Sequence, residues 1–306
     1  MDIVCLGILV ADVIVRPVDV LPERGTLGLV DSIVLRGGGC AHNTASALAR
    51  LGLRAAVVGK VGNDSFGDFI VGTLEERGVD ASGVIRDATT PTSASVVSVD
   101  SGGERTFLHA TGANAMLTAA EVREKSFRGR ALHVAGALVL DKLDGEPTAS
   151  LLSEARRRGI ATSVDTVFDA RGRWDRVVPA MPFCDLVTPG LAEARAITGD
   201  AEPARAAARL RELGARVAAI TLGADGCYVA SDTFEGHVSG FRVDSVDGTG
   251  AGDAFAAGFL HGLLAGRPLE ECARLANAAG ALATRAVGAF EGVGDLAETE
   301  RLAGLA

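Results

Sequence analysis

The run Asp247-Gly248-Thr249-Gly250-Ala251-Gly252-Asp253, followed by the apolar stretch AFAAGFLHGLLAG, is where residue type and spacing most directly suggest chemistry. Glycines let a ligand approach the backbone, and a helix starting there points unpaired N–H groups at whatever lies above them. Such a start makes an anion hole suited to phosphate. Asp253 falls in the first turn, where the helix dipole favours its anionic form. A carboxylate repels phosphate, so it is poorly suited to holding one. It suits a base acting on a hydroxyl that attacks one. The same spacing also describes a glycine-rich turn whose Asp is an ordinary early-helix residue. A second run, Arg36-Gly37-Gly38-Gly39-Cys40-Ala41-His42-Asn43, leads into TASALARLG. Its glycines can hug a polar ligand, and Asn43 can donate and accept toward hydroxyls. Taken alone, it also reads as a flexible loop with a polar first-turn residue.

Elements must bring these runs together. Short apolar stretches rich in β-branched residues predict strands at 2–8, 55–61, 131–135, 160–165, 184–188 and 216–222. Between them the pattern predicts helices at 41–51, 64–77, 146–158, 190–198 and 203–213. The last of these opens with Pro203 at N1 and stops before Gly214. This alternation predicts an α/β fold, a mostly parallel sheet with helices on both faces. Ligands then bind beyond the carboxyl ends of the strands, where Asp165, Thr188 and Thr221 fall. Two segments break the alternation. Residues 13–36 look extended but are interrupted by Pro17, Pro22 and Gly25, and 93–112 reads as two strands joined by Asp100-Ser101-Gly102-Gly103. Arg105, Phe107 and His109 alternate with Thr106 and Leu108, the period of a half-exposed sheet. We read residues 1–306 as one domain whose two irregular segments form a small β lid. Toward the C-terminus, strands are expected at 226–230 and 241–246, then helices at 250–265 and 268–286.

Composition narrows the partners. The 306 residues are 48% hydrophobic and 23% charged, enough for a large core without disulfides. A net charge of −9 argues against nucleic acid or an anionic membrane as a general partner. An anionic ligand therefore needs a local device such as a helix N-terminus or a metal ion. Five scattered cysteines without a CxxC pair favour reduced thiols, and the N-terminus lacks the basic region of a signal peptide. A cytoplasmic protein is expected.

The two glycine runs together resemble the paired signatures of the ribokinase-like (PfkB) carbohydrate kinases. Gly38, Gly39, Asn43, Ala45, Gly52 and Gly62 match the N-terminal one, and GTGAGDAFAAGFL from Gly248 matches the C-terminal one. The resemblance extends along the chain through Gly7, Asp12 and GERTFLHATGANA at 103–115. It implies the ribokinase-like three-layer fold with a β-sheet lid, and the use of ATP and Mg²⁺. Asp253 would be the catalytic base, with Gly250, Ala251 and Gly252 as the anion hole. Asp12, Gly38, Gly39 and Asn43 would bind sugar hydroxyls. Thr221, Gly223 and Gly226, in Thr221-Leu222-Gly223-Ala224-Asp225-Gly226, resemble the nucleotide loop, and Asn277 matches a residue near adenine. Without the resemblance these are a strand end, a turn and a helix polar residue. Glu193 matches the glutamate of the NxxE motif, which organises Mg²⁺ through water; unaided, it reads as a solvated early-helix residue. Backbone carbonyls at Asp247, Thr249, Ala283, Ala286, Gly288 and Gly292 match those that hold K⁺ in many relatives. Three positions depart from the pattern. Gly190 replaces the NxxE asparagine, Gly248 replaces a threonine-like residue, and Cys40 stands where ribokinases carry lysine. The last disfavours a substrate that already bears phosphate.

The expected activity is transfer of the γ-phosphoryl group of ATP to a hydroxymethyl oxygen of a small sugar such as ribose or fructose. A nucleoside acceptor is the alternative within the fold, but the lid segments contain one aromatic residue, Phe107, to hold a base. A sugar-binding regulator without kinase activity is supported by Gly190 and opposed by the intact GAGD and Glu193. A dinucleotide-dependent oxidoreductase is opposed by the absence of G-x-G-x-x-G after the first strand and by the position of GTGAGD near the C-terminus. Ribokinase relatives often dimerise through their lids, so the resemblance also implies a homodimer.

Overall fold

The first strand shows how the sheet is covered. β1 (Ile3–Gly7) is buried throughout. Ile3 and Cys5 join one apolar cluster, while Val4 and Leu6 join another. Side chains alternate across a strand, so two clusters sharing one strand in this way occupy opposite faces of the sheet. The computed structural model describes residues 1–306. After β1 come β2 (Val10–Arg16), β3 (Ser32–Gly38), α1 (Cys40–Arg50), β4 (Ala55–Val58), β5 (Lys60–Gly62), α2 (Ser65–Glu76) and β6 (Ile85–Asp87). The middle of the chain holds β7 (Ala94–Val99), β8 (Arg105–Ala110), α3 (Ala119–Ser126), β9 (Ala131–Ala137), α4 (Glu146–Arg157) and β10 (Ala161–Thr166). The remainder forms β11 (Leu186–Val187), α5 (Leu191–Thr198), α6 (Pro203–Glu212), β12 (Ala218–Thr221), β13 (Gly226–Ala230) and β14 (Glu235–Ser239). It closes with α7 (Ala251–Leu264), α8 (Leu269–Ala283) and α9 (Leu296–Ala303).

Eight strands form the central sheet in the order β14-β13-β12-β11-β10-β9-β1-β4. The six from β12 to β4 are parallel, and β13 and β14 add an antiparallel edge. Helices α1, α7 and α8 pack on the Ile3 face, and α4 and α6 on the Val4 face. The parallel α/β expectation holds. No helix is long and apolar enough to cross a membrane.

The two irregular segments supply a separate four-stranded sheet, ordered β3-β2-β7-β8. All six residues of β8 are exposed, more than the half-exposed pattern expected from its alternation. The strand expected at 241–246 is open chain instead. A tight turn, with Ser231 N donating to the Phe234 carbonyl (2.9 Å), folds 235–239 back onto β13. That short hairpin takes the edge position, leaving 241–246 without a neighbour to pair with.

Candidate active site

Gly250 is the N-cap of α7 at φ 75°, and a Cβ there would sit 2.6 Å from the Ala289 carbonyl oxygen. Both facts require glycine. Gly252 is different, because a Cβ there would meet nothing within 4 Å. The amides of this first turn have no acceptor in the preceding turn of helix, since there is none. Ala251 N makes a long bond to the Gly248 carbonyl (3.3 Å). The Gly252 amide borders the open space.

Asp253 follows in the first turn, only 8% exposed. Asn43 Nδ2 donates to its Oδ2 at 2.8 Å, across 210 residues of sequence. Burial raises the Asp253 pKa to about 6, against the opposing effect of Asn43 and Cys40. Cys40, Asp165 and Asp253 each bring one ligand atom within 4.8 Å of the others. Asp165 ends β10, buried, and accepts from Thr188 Oγ1 at 3.0 Å. Burial, then Glu193 and Asp253, push its pKa well up. Burial likewise holds the Cys40 thiol well above its ordinary value, so it is protonated beside these acids.

Glu193 lies on the first turn of α5, whose N-cap is Gly190. Its Oε2 accepts from Thr166 Oγ1 (2.7 Å) and from Gly190 N (3.0 Å), leaving Oε1 without a partner. Burial raises its pKa. A Cβ on Gly190 would find its nearest neighbours, Glu193 Oε2 and Thr221 Oγ1, at 3.8 Å, so there is room where the related motif carries asparagine. A bridge between Gly190 and Thr221 brings this corner to the end of β12. Carboxylate oxygens from Asp165 and Glu193 suit a hard divalent cation such as Mg²⁺, and the protonated thiol of Cys40 does not.

Two cavities meet at Gly248. The first, about 310 Å³, lies between the small sheet and the loops around 247 and 288, and Asp12, Gly37, Arg105 and Phe107 line it. Asp12 rests against Gly38, where a Cβ would come 2.1 Å from its Oδ2. Burial lifts the Asp12 pKa to about 6, with Ser95 opposing. Gly39, at φ 88°, caps α1 and aims Asn43 inward. The second cavity, about 720 Å³, runs from Ala251 and Gly252 past Thr221, Gly223 and Gly226 to Asn277. Asn277 Nδ2 is committed to the Val238 and Ser239 carbonyls (2.9 and 3.1 Å), so it anchors the end of β14 and faces the cavity otherwise. Phe241, Arg242 and Val243 line this cavity too. Sequence reasoning missed them because it assigned them to a strand.

The Asp247 carboxylate gathers Thr249 N (2.9 Å), Thr249 Oγ1 (2.7 Å) and Gly288 N (2.9 Å). Arg105, from the small sheet, pairs with it at 2.8 Å. Ala283 and Gly292 are also neighbours, for a Cβ on Gly292 would lie 2.4 Å from the Ala283 carbonyl oxygen.

A doubly covered parallel sheet with a second small sheet over its strand ends is the architecture of the ribokinase-like sugar kinases. The structure superposes on an Arabidopsis thaliana ribokinase complexed with ribose and ATP with a TM-score of 0.85, at 23% identity over 100% of this chain and 99% of that one. A Vibrio cholerae fructokinase bound to fructose, ADP and calcium gives 0.81 at 26% identity, covering 99% of both. A 2-dehydro-3-deoxygluconokinase of Bacillus subtilis is 34% identical over 295 residues, 89% of this chain and 87% of that protein. Residues 1–293 match the pfkB family carbohydrate kinase model. The chain belongs to that family, and it is a phosphotransferase with a sugar hydroxyl as acceptor.

Proposed function

We propose that this kinase transfers the γ-phosphoryl group of ATP to a hydroxymethyl oxygen of a small sugar, with Asp253 as the base. The observation that carries the reading is the meeting of the two cavities at Gly248, beside the helix start that bears Asp253. Acceptor and donor are then held on either side of one turn. Asp12, Gly38, Gly39 and Asn43 serve the sugar, and Thr221, Gly223, Gly226 and Asn277 the nucleotide. When bound, Mg·ATP supplies the phosphoryl group and neutralises part of its charge. Glu193, whose Oε1 is free, would help to hold that metal through water. Gly250, Ala251 and Gly252 offer backbone amides to charge that develops on the transferring group. Asp253 is far too weak a base to ionise an alcohol beforehand, so it takes the proton late. Asn43 fixes which carboxylate oxygen does so. The carbonyls at Asp247, Thr249, Ala283, Ala286, Gly288 and Gly292 are the proposed K⁺ ligands.

The small sheet acts as a lid that keeps water from the donor. Its outer side carries exposed Ile33, Val96 and Leu108, an apolar patch that supports a homodimer in which a second copy of the chain would cover it. Five unpaired thiols support a cytoplasmic location, where thiols stay reduced. Turnover with Mg·ATP should be measured on ribose, fructose, 2-keto-3-deoxygluconate and adenosine, with and without K⁺. Phosphorylation of a sugar is expected. Adenosine as the best acceptor would favour the nucleoside reading, and transfer to none of them would overturn the proposal.

A further inference from the structure

The cavity-facing side of the lid is laid out in rungs. Strand pairing sets Asp12 opposite Arg36 and beside Ser95. Two residues further along each strand, Ile14 lies beside Val97, which is opposite Phe107. The next alternate positions are Arg16 on β2 and Arg105 on β8, the latter opposite Val99. Side chains at alternate positions share a face, and Asp12, Ile14, Arg16, Val97, Arg105 and Phe107 all line the 310 Å³ cavity. The order from the inside outward is therefore acid, apolar, cationic.

The charges on these rungs are unequally satisfied. Arg36 pairs with Glu291 at 3.4 Å, and Arg105 with Asp247 at 2.8 Å. Arg105 uses Nη1 for that contact, and a guanidinium carries five N–H donors, so the rest of its fork is free. Arg16 has no carboxylate partner, in a chain whose 39 acidic residues outnumber its 30 basic ones. Asp12 repels an anion from the first rung and accepts hydroxyls there. The apolar middle rung offers no hydrogen-bonding side chain, so carbon crosses it. Asp12 and Arg16 are four residues apart, about 13 Å along an extended strand. The long arginine side chain, folded inward, closes that span to the length of a sugar.

Building on the kinase reading, we infer that the acceptor is an anionic sugar. Its carboxylate or phosphate lies on Arg16 and the free side of Arg105, and its hydroxyls on Asp12. This orientation turns the uncharged end toward Asp253. A planar carboxylate matches a guanidinium in two-point contact, and phosphate oxygens do so as well.

The test is a comparison of kcat/KM with Mg·ATP across three kinds of acceptor. The probes are 2-dehydro-3-deoxygluconate and gluconate, fructose 6-phosphate and fructose 1-phosphate, and neutral fructose and ribose. An anionic probe is expected to exceed its neutral counterpart by at least about tenfold, and Arg16→Gln to cut that ratio by about ten- to a hundredfold. The carboxylated and phosphorylated arms identify which anion is read. A neutral sugar as best acceptor, or a ratio indifferent to Arg16→Gln, overturns the inference while leaving the kinase reading intact. Transfer to no probe overturns the kinase reading. Calorimetric titration of the unmodified chain with 2-dehydro-3-deoxygluconate, fructose 6-phosphate and fructose then decides the inference separately: equal or no affinity overturns it as well.

Discussion

Asp253 must be ionised to act as a base, yet it is buried in a site already rich in acid. Asp165 and Glu193 add negative charge near it, while Asn43 and Cys40 favour its charged form. With its pKa raised to about 6, kcat should fall about tenfold for each pH unit below that value, which a pH–rate profile measures. Asp253→Asn keeps the shape and removes the proton acceptor, so kcat should drop by about 10²–10⁴ with nucleotide affinity retained. Its effect on stability has the opposite sign. The folded pKa exceeds the ordinary value of 3.8, so the native state binds more protons than the unfolded one between those values. Stability from this group is lost as pH rises through about 6, and at pH 8 the Asn variant should melt higher, not lower. Near-normal turnover in the folded variant would sink the base assignment. Glu193→Gln keeps both hydrogen bonds to Oε2 in principle but not the charge, so the Mg²⁺ concentration for half-maximal rate should rise; an unchanged Mg²⁺ titration removes Glu193 from the metal's surroundings. Asp253 and Asn43 were legible as separate local patterns. Their bond was not, because nothing in either pattern encodes a contact 210 residues apart. Asp165 was visible only as a strand end, since a lone Asp has no spacing to read.

At the scale of elements, glycines with the same look in sequence do different work. Gly250 and Gly252 belong to one motif, yet one is pinned and the other faces space. Gly250→Ala forces a positive φ and a 2.6 Å approach to the Ala289 oxygen, so it should cost about 1–3 kcal/mol in urea unfolding and loosen the proposed anion hole. Gly252→Ala should unfold like the parent while its methyl narrows the space above the amides and slows turnover. Equal stability losses in the two variants would mean that the turn is not held as described. Helix limits were readable where chemistry marks them: Pro203 opens α6, and Glu202 caps it by accepting from Arg205 N. The end of the sheet was not. Alternation at 241–246 is real, but strand formation depends on a free neighbour, and the hairpin from β13 had already taken the edge.

At the scale of the whole molecule, the two faces of the small sheet differ in character. The parallel core could be inferred from alternation alone, because a strand buried on both sides, as β1 is, leaves a nearly continuous apolar run. The lid strands obey the period of two instead, and that period sorts their residues. Arg105 and Phe107 fall toward the cavity, while Leu108 points away with Ile33 and Val96. The latter three are 71, 65 and 44% exposed, an apolar patch on the outer side of a sheet whose inner side is polar at both ends. Clustered apolar surface of this kind marks an association site. A two-fold pairing of lid against lid buries the same patch from both copies, as an isologous contact requires. Sedimentation velocity should therefore give a dimer near twice 31.2 kDa. Leu108→Asp, remote from the cavity side, should shift it toward monomer and raise the acceptor KM, since each lid loses the support of its partner. A monomeric parent, or a Leu108→Asp protein that stays dimeric, would refute pairing through this face.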